Sequence, residues 1–252
     1  MNSSSFELYG KGVFTTVAIR SRESLFWDKH WRRLSRDAAK IGLDLSAHTD
    51  IATETALNDS IGASGIVDGR ARITLTDERP AEIWPGSKPE QNTSVYIIVG
   101  ENRPVPSPVM LTVSLFPVNS RSPLAGVKSC NYLENTLAID EAKGCGFHEA
   151  IRVNERGHVT SGCMANVFWL VGGKLFTPAL STGCLPGTTR EFVLENSECE
   201  EVEAEIGELG SAEAIFLTSA GLGVVAVNEF DGRTLGGRDH RIVQVWRDLE
   251  TK

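Results

Sequence analysis

Residues 122–132 read SPLAGVKSCNY and place Lys128 directly before a predicted amphipathic helix. A lysine held between an apolar stretch and a helix start is partly desolvated, and desolvation lowers the pKa of its amine. A neutral lysine amine can form a Schiff base with an aldehyde. Most lysines beside helices are solvated surface charges, so Lys128 alone is a weak indication of catalysis.

A second segment further along the chain predicts a phosphate site. Residues 185–190 read LPGTTR and lead into a predicted helix. Gly187 permits a tight turn, and Thr188 and Thr189 lie where the first backbone N–H groups of a helix can bind an anion. The same residues also suit an ordinary helix N-cap, which is their commoner use. Together, a reactive lysine and a phosphate site suggest pyridoxal phosphate, which needs a lysine to bind its aldehyde and a second site to bind its phosphate.

Six segments of the chain, in one order, resemble the fold-type IV pyridoxal-phosphate enzymes. That family includes branched-chain and D-amino-acid aminotransferases and 4-amino-4-deoxychorismate lyases, and the resemblance runs from about residue 9 to about residue 227. The segments are GVFTT (12–16), HWRRL (30–34), KSCN (128–131), GHVT (157–160) with NVF (166–168), FTP (176–178) and GTTR (187–190). The resemblance implies an α+β fold of two domains, with the cofactor in the interdomain cleft, and a homodimer.

The resemblance also implies roles for individual residues. Lys128 matches the Schiff-base lysine, which later moves protons and is the predicted catalytic residue. The predicted cofactor-binding residues are Lys128, Arg33, Tyr132, Ser161, Thr188, Thr189 and Ser219. Arg33, the two threonines and Ser219 match phosphate contacts, and Tyr132 matches a tyrosine that bonds the ring hydroxyl of the cofactor. Without the resemblance, Arg33 would be interpreted as a solvated charge.

Thr15 and Thr16 are the predicted substrate-binding residues. In the segment Phe14-Thr15-Thr16, either hydroxyl could lie over the cofactor or the substrate. An alternative interpretation treats both as β-branched residues of a strand. The substrate carboxylate needs an arginine or backbone amides, and Arg72, Arg121 and Arg152 are open candidates.

The chain departs from the family at Ser161. Relatives have a glutamate there, and its carboxylate pairs with the pyridine nitrogen of the cofactor. A serine hydroxyl cannot hold a proton on that nitrogen, so the ring withdraws electrons less strongly. One charge-assisted hydrogen bond corresponds to a rate loss of about tenfold to a hundredfold. Glu149 or Glu155 could supply the missing carboxylate from elsewhere.

Two stretches resemble aminodeoxychorismate lyases in particular. They are residues 124–134, LAGVKSCNYLE, and Phe14-Thr15-Thr16, where aminotransferases commonly have a glutamate after the phenylalanine. The predicted reaction yields 4-aminobenzoate and pyruvate, for folate synthesis. Aromatisation supplies driving force, so Ser161 harms this reaction less than transamination. A branched-chain or D-amino-acid aminotransferase is the alternative, and a non-catalytic relative is a third possibility that Ser161 supports.

The composition is that of an ordinary soluble protein. The 252 residues are 41% hydrophobic and 23% charged, with a net charge of −8 that argues against nucleic-acid binding. The apolar stretches are too short for a membrane helix, and we expect a small-molecule substrate and a cytoplasmic location. Five cysteines without a Cys-x-x-Cys pair predict reduced thiols and no metal site. We expect a smaller N-terminal α+β domain, residues 1–118, and a larger domain, residues 119–252, that carries the lysine and the phosphate turn.

Residue patterns also predict the individual elements. Alternating β-branched and apolar residues predict strands, and apolar residues at helical spacing predict helices. The predicted strands are 13–19, 69–76, 94–99, 110–117, 149–153, 158–160, 166–171, 174–177, 214–218 and 224–227. The predicted helices are 27–43, 46–61, 132–143, 191–197 and 239–249.

Overall fold

The computed structural model describes residues 3–81 and 92–250. The chain divides into two compact units, which we call unit 1 (Met1–Arg103 with Val127–Tyr132) and unit 2 (Pro104–Gly126 with Leu133–Lys252). Both units combine helices with sheets, which confirms the predicted α+β class.

The segment that carries Lys128 belongs to unit 1, although it lies beyond the predicted domain boundary at residues 118/119. Its backbone is hydrogen-bonded to a strand of unit 1: the Phe14 N–H donates to the carbonyl of Lys128 at 2.9 Å, and the Cys130 N–H donates to the carbonyl of Gly12 at 2.8 Å. These two bonds attach Val127–Tyr132 to the edge of the first sheet.

Unit 1 is a four-stranded antiparallel sheet with helices. The helices and strands in chain order are α1 (Ser5–Tyr9), β1 (Gly12–Arg20), β2 (Glu23–Ser24), α2 (Trp27–Lys40), α3 (Asp50–Ser64), β3 (Gly69–Asp77) and β4 (Thr93–Glu101). The strand order is β2-β1-β3-β4. The short strand β2 pairs with Ile19 and Arg20 of β1, so the first residues of β1 lie at the sheet edge, where Val127–Tyr132 attaches. Apolar residues of α2 and α3, including Leu34, Leu57 and Ile61, pack against Val17 and Ile73 of the sheet. This packing fixes the helix face of β1 against α2.

Unit 2 contains two five-stranded sheets. Its helices and strands in chain order are β5 (Met110–Val113), α4 (Leu133–Gly144), β6 (Glu149–Val153), β7 (Val159–Gly162), β8 (Asn166–Val171), β9 (Lys174–Pro178), α5 (Thr188–Asn196), β10 (Glu200–Val202), α6 (Ile206–Gly210), β11 (Ala214–Ser219), β12 (Gly223–Ala226), β13 (Glu229–Phe230), β14 (Arg233–Thr234) and α7 (Arg241–Glu250). The strand orders are β10-β9-β8-β11-β12 and β14-β13-β5-β6-β7. A core that includes Leu111, Trp169 and Ile215 lies between strands of both sheets.

Three predicted boundaries move for identifiable reasons. β5 ends at Val113 because Arg152 donates to the carbonyls of Phe116 and Pro117, at 3.1 Å each, where strand pairing was predicted. α3 begins at Asp50 because the Thr49 hydroxyl caps it. Ser46 instead bonds Asp44 in a local turn.

The helix after Gly187 begins earlier than predicted, at Thr188. Gly187 is its N-cap residue and makes no side-chain cap, so the hydroxyls of Thr188 and Thr189 are in the first helical turn. The N-cap alternative for these threonines is therefore wrong.

No helix in residues 3–81 and 92–250 is long and apolar enough to cross a membrane. The same residues contain no cluster of histidine, cysteine and carboxylate side chains that could hold a metal ion.

Candidate active site

The backbone of Lys128 is anchored in unit 1 by a buried carboxylate. Asp37 on α2 is 1% exposed, and its Oδ2 accepts the Lys128 backbone N–H at 2.9 Å. The other oxygen accepts from the guanidinium of Arg36 at 2.6 Å. Because the backbone is held at both its N–H and its carbonyl, the Lys128 side chain leaves the sheet edge in a defined direction.

The Lys128 amine lies against two aromatic rings. Its Nζ is 4.4 Å from the ring centre of Phe14 and 4.7 Å from that of Tyr132. It also donates a hydrogen bond to the Tyr132 hydroxyl at 3.1 Å. The two rings meet edge to face with centroids 5.2 Å apart. The predicted lysine and tyrosine are therefore neighbours within one unit.

This surrounding lowers the pKa of Lys128 to about 7. Desolvation by the surrounding protein is the largest cause, followed by the positive charges of Arg33 and Arg72. The carboxylate of Asp37 opposes these effects and does not cancel them. A lysine with a pKa near 7 carries a large neutral fraction at neutral pH, which a nucleophilic amine or general base requires.

The two threonines of β1 lie on opposite faces of the strand. Alternation puts Thr16 on the same face as Phe14 and puts Thr15 on the face toward α2. Thr16 is paired with Arg72 across the sheet, and the Arg72 guanidinium stacks 3.5 Å from the Phe14 ring centre. Thr16 and Arg72 thus share the face that carries the aromatic contact of Lys128.

Thr15 is enclosed between the strand and α2. It is fully buried, and its Oγ1 lies 2.6 Å from Nδ1 of His30 and 2.8 Å from a terminal guanidinium nitrogen of Arg33. His30 belongs to the same HWRRL segment as Arg33, yet the sequence assigned it no role. Burial, then the charges of Arg33 and Lys128, hold the pKa of His30 well below its usual range.

The predicted phosphate turn lies in unit 2, at the start of α5. Thr188 and Thr189 are both buried there, behind the N-cap Gly187. A side chain at Gly187 would place its Cβ within 2.1 Å of Oδ1 of Asn166, so only glycine fits this close approach. Asn166 also donates to the carbonyl of Leu185 at 2.7 Å. Asn166 therefore stabilises the turn. No role was assigned to Asn166 from the sequence, although this residue begins the NVF segment that resembles the family.

Ser219 and Ser161 are the other predicted cofactor contacts of unit 2. The Ser219 hydroxyl accepts the Leu222 N–H at 3.1 Å in the turn between β11 and β12. Ser161 lies in β7 directly opposite Arg152 of β6. Their roles toward the cofactor stay predictions.

Neither alternative carboxylate is free to replace the missing glutamate. The oxygens of Glu149 accept backbone N–H groups of Ala150, Cys163 and Met164 at 3.0, 2.7 and 3.0 Å. Glu155 accepts from the N–H and hydroxyl of Ser120 at 2.9 and 2.7 Å. Both carboxylates therefore already have partners that stabilise local backbone.

Of the three candidate arginines, Arg72 is the one that belongs to unit 1, as Lys128 does. Its charge is among the causes of the low pKa of that lysine. In unit 2, Arg152 is buried with its donors directed to two backbone carbonyls, and Arg121 is exposed. Within unit 1, Arg72 therefore lies where it can meet an anionic ligand of Lys128.

The side chains present fit a cofactor that carries an aldehyde and a phosphate. Lys128 supplies an amine with a pKa of about 7, and Tyr132 a hydroxyl next to it. In unit 2, Thr188 and Thr189 supply hydroxyls and backbone N–H groups at a helix N-terminus. Unit 1 by itself thus offers an amine for the aldehyde of pyridoxal phosphate, and unit 2 by itself offers donors for its phosphate.

A family model described as "Amino-transferase class IV" matches residues 12–230 of the chain. The aminodeoxychorismate lyase of Bacillus subtilis is 26% identical over 243 residues, which are 92% of this chain and 81% of the relative. A putative branched-chain-amino-acid aminotransferase of Methanocaldococcus jannaschii is 25% identical over 265 residues, covering 97% of this chain and 89% of the relative.

Solved structures agree with these sequence matches. A putative 4-amino-4-deoxychorismate lyase of Legionella pneumophila superposes with a TM-score of 0.89 and 25% identity. The superposition covers 99% of this chain and 93% of that one. Lyases and aminotransferases both match at about the same identity, so similarity alone leaves the reaction open.

The amine of Lys128 should titrate near pH 7, because its folded-state pKa is lowered to about 7. A short pulse of acetic anhydride across pH 5 to 10, quantified by mass spectrometry of the peptides, measures this directly. Labelling of Lys128 should rise with pH through about 7. Lys174, whose side chain is 70% exposed, is the internal control for the activity of the reagent at each pH. A midpoint above about pH 9 for Lys128 would contradict the site described here.

Proposed function

Because the chain belongs to the class IV aminotransferase family, we propose that it is a pyridoxal-phosphate-dependent lyase. The proposed reaction converts 4-amino-4-deoxychorismate to 4-aminobenzoate and pyruvate. The family includes lyases and aminotransferases, and its cofactor is pyridoxal phosphate. When bound, that cofactor supplies an electron-withdrawing ring that is conjugated to the substrate amine and stabilises negative charge on the adjacent carbon.

Lys128 is the residue that we assign to proton transfer. With the cofactor bound, this neutral amine would hold its aldehyde, and it would be released to move protons when a substrate amine binds there. The freed amine then accepts the proton from the ring carbon that bears the substrate amine, and its conjugate acid donates a proton to the departing enolpyruvate. A pKa near 7 suits both steps, because the amine must accept and release a proton at the same pH.

Other side chains of unit 1 orient the reactants. The Tyr132 hydroxyl, which accepts from Lys128, is assigned to the ring hydroxyl of the cofactor. Arg33 is assigned to the phosphate group. In unit 2, Thr188 and Thr189 are assigned to the phosphate, Ser219 to a further phosphate contact and Ser161 to the pyridine nitrogen.

The observation that carries the lyase proposal is the missing carboxylate at Ser161. Glu149 and Glu155 both have other partners, so a protonated pyridine nitrogen lacks its usual support. Transamination depends on that support throughout, because it has no other source of carbanion stabilisation. The lyase reaction gains an aromatic ring as the carbon–oxygen bond to enolpyruvate breaks, which lowers its dependence on the cofactor ring.

Arg72 and Thr16 are assigned to the substrate. Aminodeoxychorismate carries a carboxylate on its ring and another on the enolpyruvyl group. The Arg72 guanidinium, fixed over Phe14 and bonded to the Thr74 hydroxyl at 3.2 Å, offers charge on the face of β1 that Lys128 contacts. Thr16 lies opposite Arg72 and offers a hydroxyl on the same face.

An aminotransferase acting on branched-chain or D-amino acids is the second candidate. The match to the Methanocaldococcus jannaschii relative supports it as a class. A catalytically impaired family member is the third, on the strength of Ser161. The homodimer and the cytoplasmic location are further proposals that follow from the family resemblance.

Lys128→Ala should abolish covalent attachment of the cofactor and reduce lyase turnover at least a thousandfold, because the amine both attaches the cofactor and moves protons. Wild-type protein mixed with pyridoxal phosphate should show a visible absorbance band. Borohydride should fix the label on Lys128, identified by mass spectrometry. The same preparations should be assayed for 4-aminobenzoate and pyruvate, and separately for transfer of amino groups to 2-oxoglutarate.

The products separate the candidate functions. Formation of 4-aminobenzoate with equimolar pyruvate supports the lyase, whereas turnover only with amino donors and 2-oxoglutarate replaces it with the aminotransferase. A band without either turnover indicates the impaired member. An absorbance band that persists in Lys128→Ala would contradict the assignment of Lys128 as the residue that attaches the cofactor.

Ser161→Glu should raise lyase turnover, by about tenfold, because a carboxylate keeps the pyridine nitrogen protonated. The introduced side chain would face Arg152 across the strands, and that charge favours the ionised carboxylate. Ser161→Gln is the matched control, since it has nearly the same shape and no charge. Equal rates for the two variants would show that the ring nitrogen already has its proton from another group.

Arg72→Gln should raise KM for the substrate at least tenfold, because a charged hydrogen bond to a carboxylate is lost. It should also raise the pKa of Lys128, since the positive charge of Arg72 lowers it. The second effect is measured by the anhydride pulse described above. Arg22→Gln, an exposed arginine of unit 1 that is not among the charges acting on Lys128, is the control and should change neither quantity. An unchanged KM in Arg72→Gln would remove this residue from the substrate site.

A further inference from the structure

A buried polar chain in unit 1 contains two residues, His30 and Thr15, that have no part in the reaction proposed above. It runs from His30 through Thr15 to Arg33, with 1%, 0% and 7% of each residue exposed. The Thr15 hydroxyl oxygen is 2.6 Å from Nδ1 of His30 and 2.8 Å from a terminal nitrogen of Arg33. Buried polar groups are expensive unless they are paired, so these two contacts stabilise the arrangement as a unit.

The chemistry of the groups fixes one of these hydrogen bonds. A guanidinium only donates, so Thr15 accepts from Arg33. The low pKa of His30 keeps its ring neutral, so one ring nitrogen donates and the other accepts. The tautomer sets whether Nδ1 accepts the Thr15 proton or donates to a second lone pair of the hydroxyl oxygen. In either case, Thr15 links the imidazole of His30 to the guanidinium of Arg33.

Packing alone does not account for a hydroxyl at this position. Val13 and Val17 occupy the neighbouring positions on the same face of β1 and are fully buried. A valine at position 15 would match the shape of threonine and continue that apolar face. The hydroxyl of Thr15 therefore matters for its hydrogen bonds. Of its two partners, Arg33 is the one that carries a charge.

We propose that Thr15 and His30 are positioning residues that hold the Arg33 guanidinium in the orientation that binds the phosphate group of the cofactor. This rests on the proposed function, which assigns Arg33 to the phosphate. An arginine already held in its binding orientation loses less side-chain freedom when the phosphate arrives, so the affinity rises. The inference gives Thr15 a role behind the site in place of contact with the substrate, and leaves that contact to Thr16.

The test compares two aldehydes that differ only in the phosphate. Apo protein is titrated by absorbance with pyridoxal phosphate and with pyridoxal, for wild type, Thr15→Val, Thr15→Ser and His30→Phe. Thr15→Val should weaken pyridoxal phosphate roughly tenfold or more and leave pyridoxal within about twofold, because only the phosphate contact depends on Arg33. Thr15→Ser keeps the hydroxyl and should retain the wild-type preference. His30→Phe removes the ring nitrogen that bonds the Thr15 hydroxyl. It should therefore weaken the binding of pyridoxal phosphate and leave that of pyridoxal nearly unchanged, as Thr15→Val does.

The outcomes distinguish this inference from the function on which it rests. Equal weakening of both aldehydes in Thr15→Val would mean a general structural role and would overturn the inference, as would unchanged affinity for both. If Thr15→Val does not fold, the same comparison in His30→Phe and Thr15→Ser decides the matter. A wild type that binds pyridoxal as tightly as pyridoxal phosphate would overturn the assignment of the phosphate residues, and with it this inference.

Discussion

The bond between the Asp37 carboxylate and the Lys128 backbone N–H is the interaction on which the rest of the site depends. A buried carboxylate needs donors, and Asp37 finds them in Arg36 and in the backbone of a segment far away in the sequence. That segment also pairs with β1 through Phe14 and Gly12. The amine then lies on the Phe14 and Tyr132 rings because its backbone has no freedom to turn away. Loss of this anchor would displace the reactive nitrogen without altering any residue that touches a ligand.

The charges that act on Lys128 are mainly positive, although the protein as a whole is negatively charged. The chain carries a net charge of −8. The positive charges of Arg33 and Arg72 nevertheless lower the pKa of Lys128, and the carboxylate of Asp37 opposes them. Like charges near a desolvated amine favour its neutral form, and the same charges attract anions. A phosphate group and a substrate carboxylate are the anions of the proposed reaction. Under the proposed function, the same two positive charges would therefore favour the neutral amine and attract both anions.

Residue alternation predicted many of the strands, because it depends on local spacing, whereas the two-domain fold and the candidate site residues were predicted from the family resemblance. The strands 149–153 and 166–171 were predicted to the residue. Long-range side-chain bonds were not predictable: Arg152 takes two carbonyls and ends β5 early, and Asp37 attaches Lys128 to unit 1. The partners of Thr15 also depend on which strand face meets α2. Such contacts join residues distant in sequence and leave no periodic signal.

The substitution at Ser161 connects the structure to the choice of reaction. Glu149 cannot turn toward a ring nitrogen without giving up three backbone N–H bonds in a buried loop, and each unmade bond there costs about 1–3 kcal/mol. The loop therefore holds its carboxylate in a structural role while β7 offers only a hydroxyl. Under the proposed function, a chain with this constraint keeps Lys128, Thr188 and Thr189 for the cofactor but gives it a weaker electron sink. Chemistry that carries its own driving force, such as formation of an aromatic ring, tolerates that weakness better than a reversible exchange of amino groups.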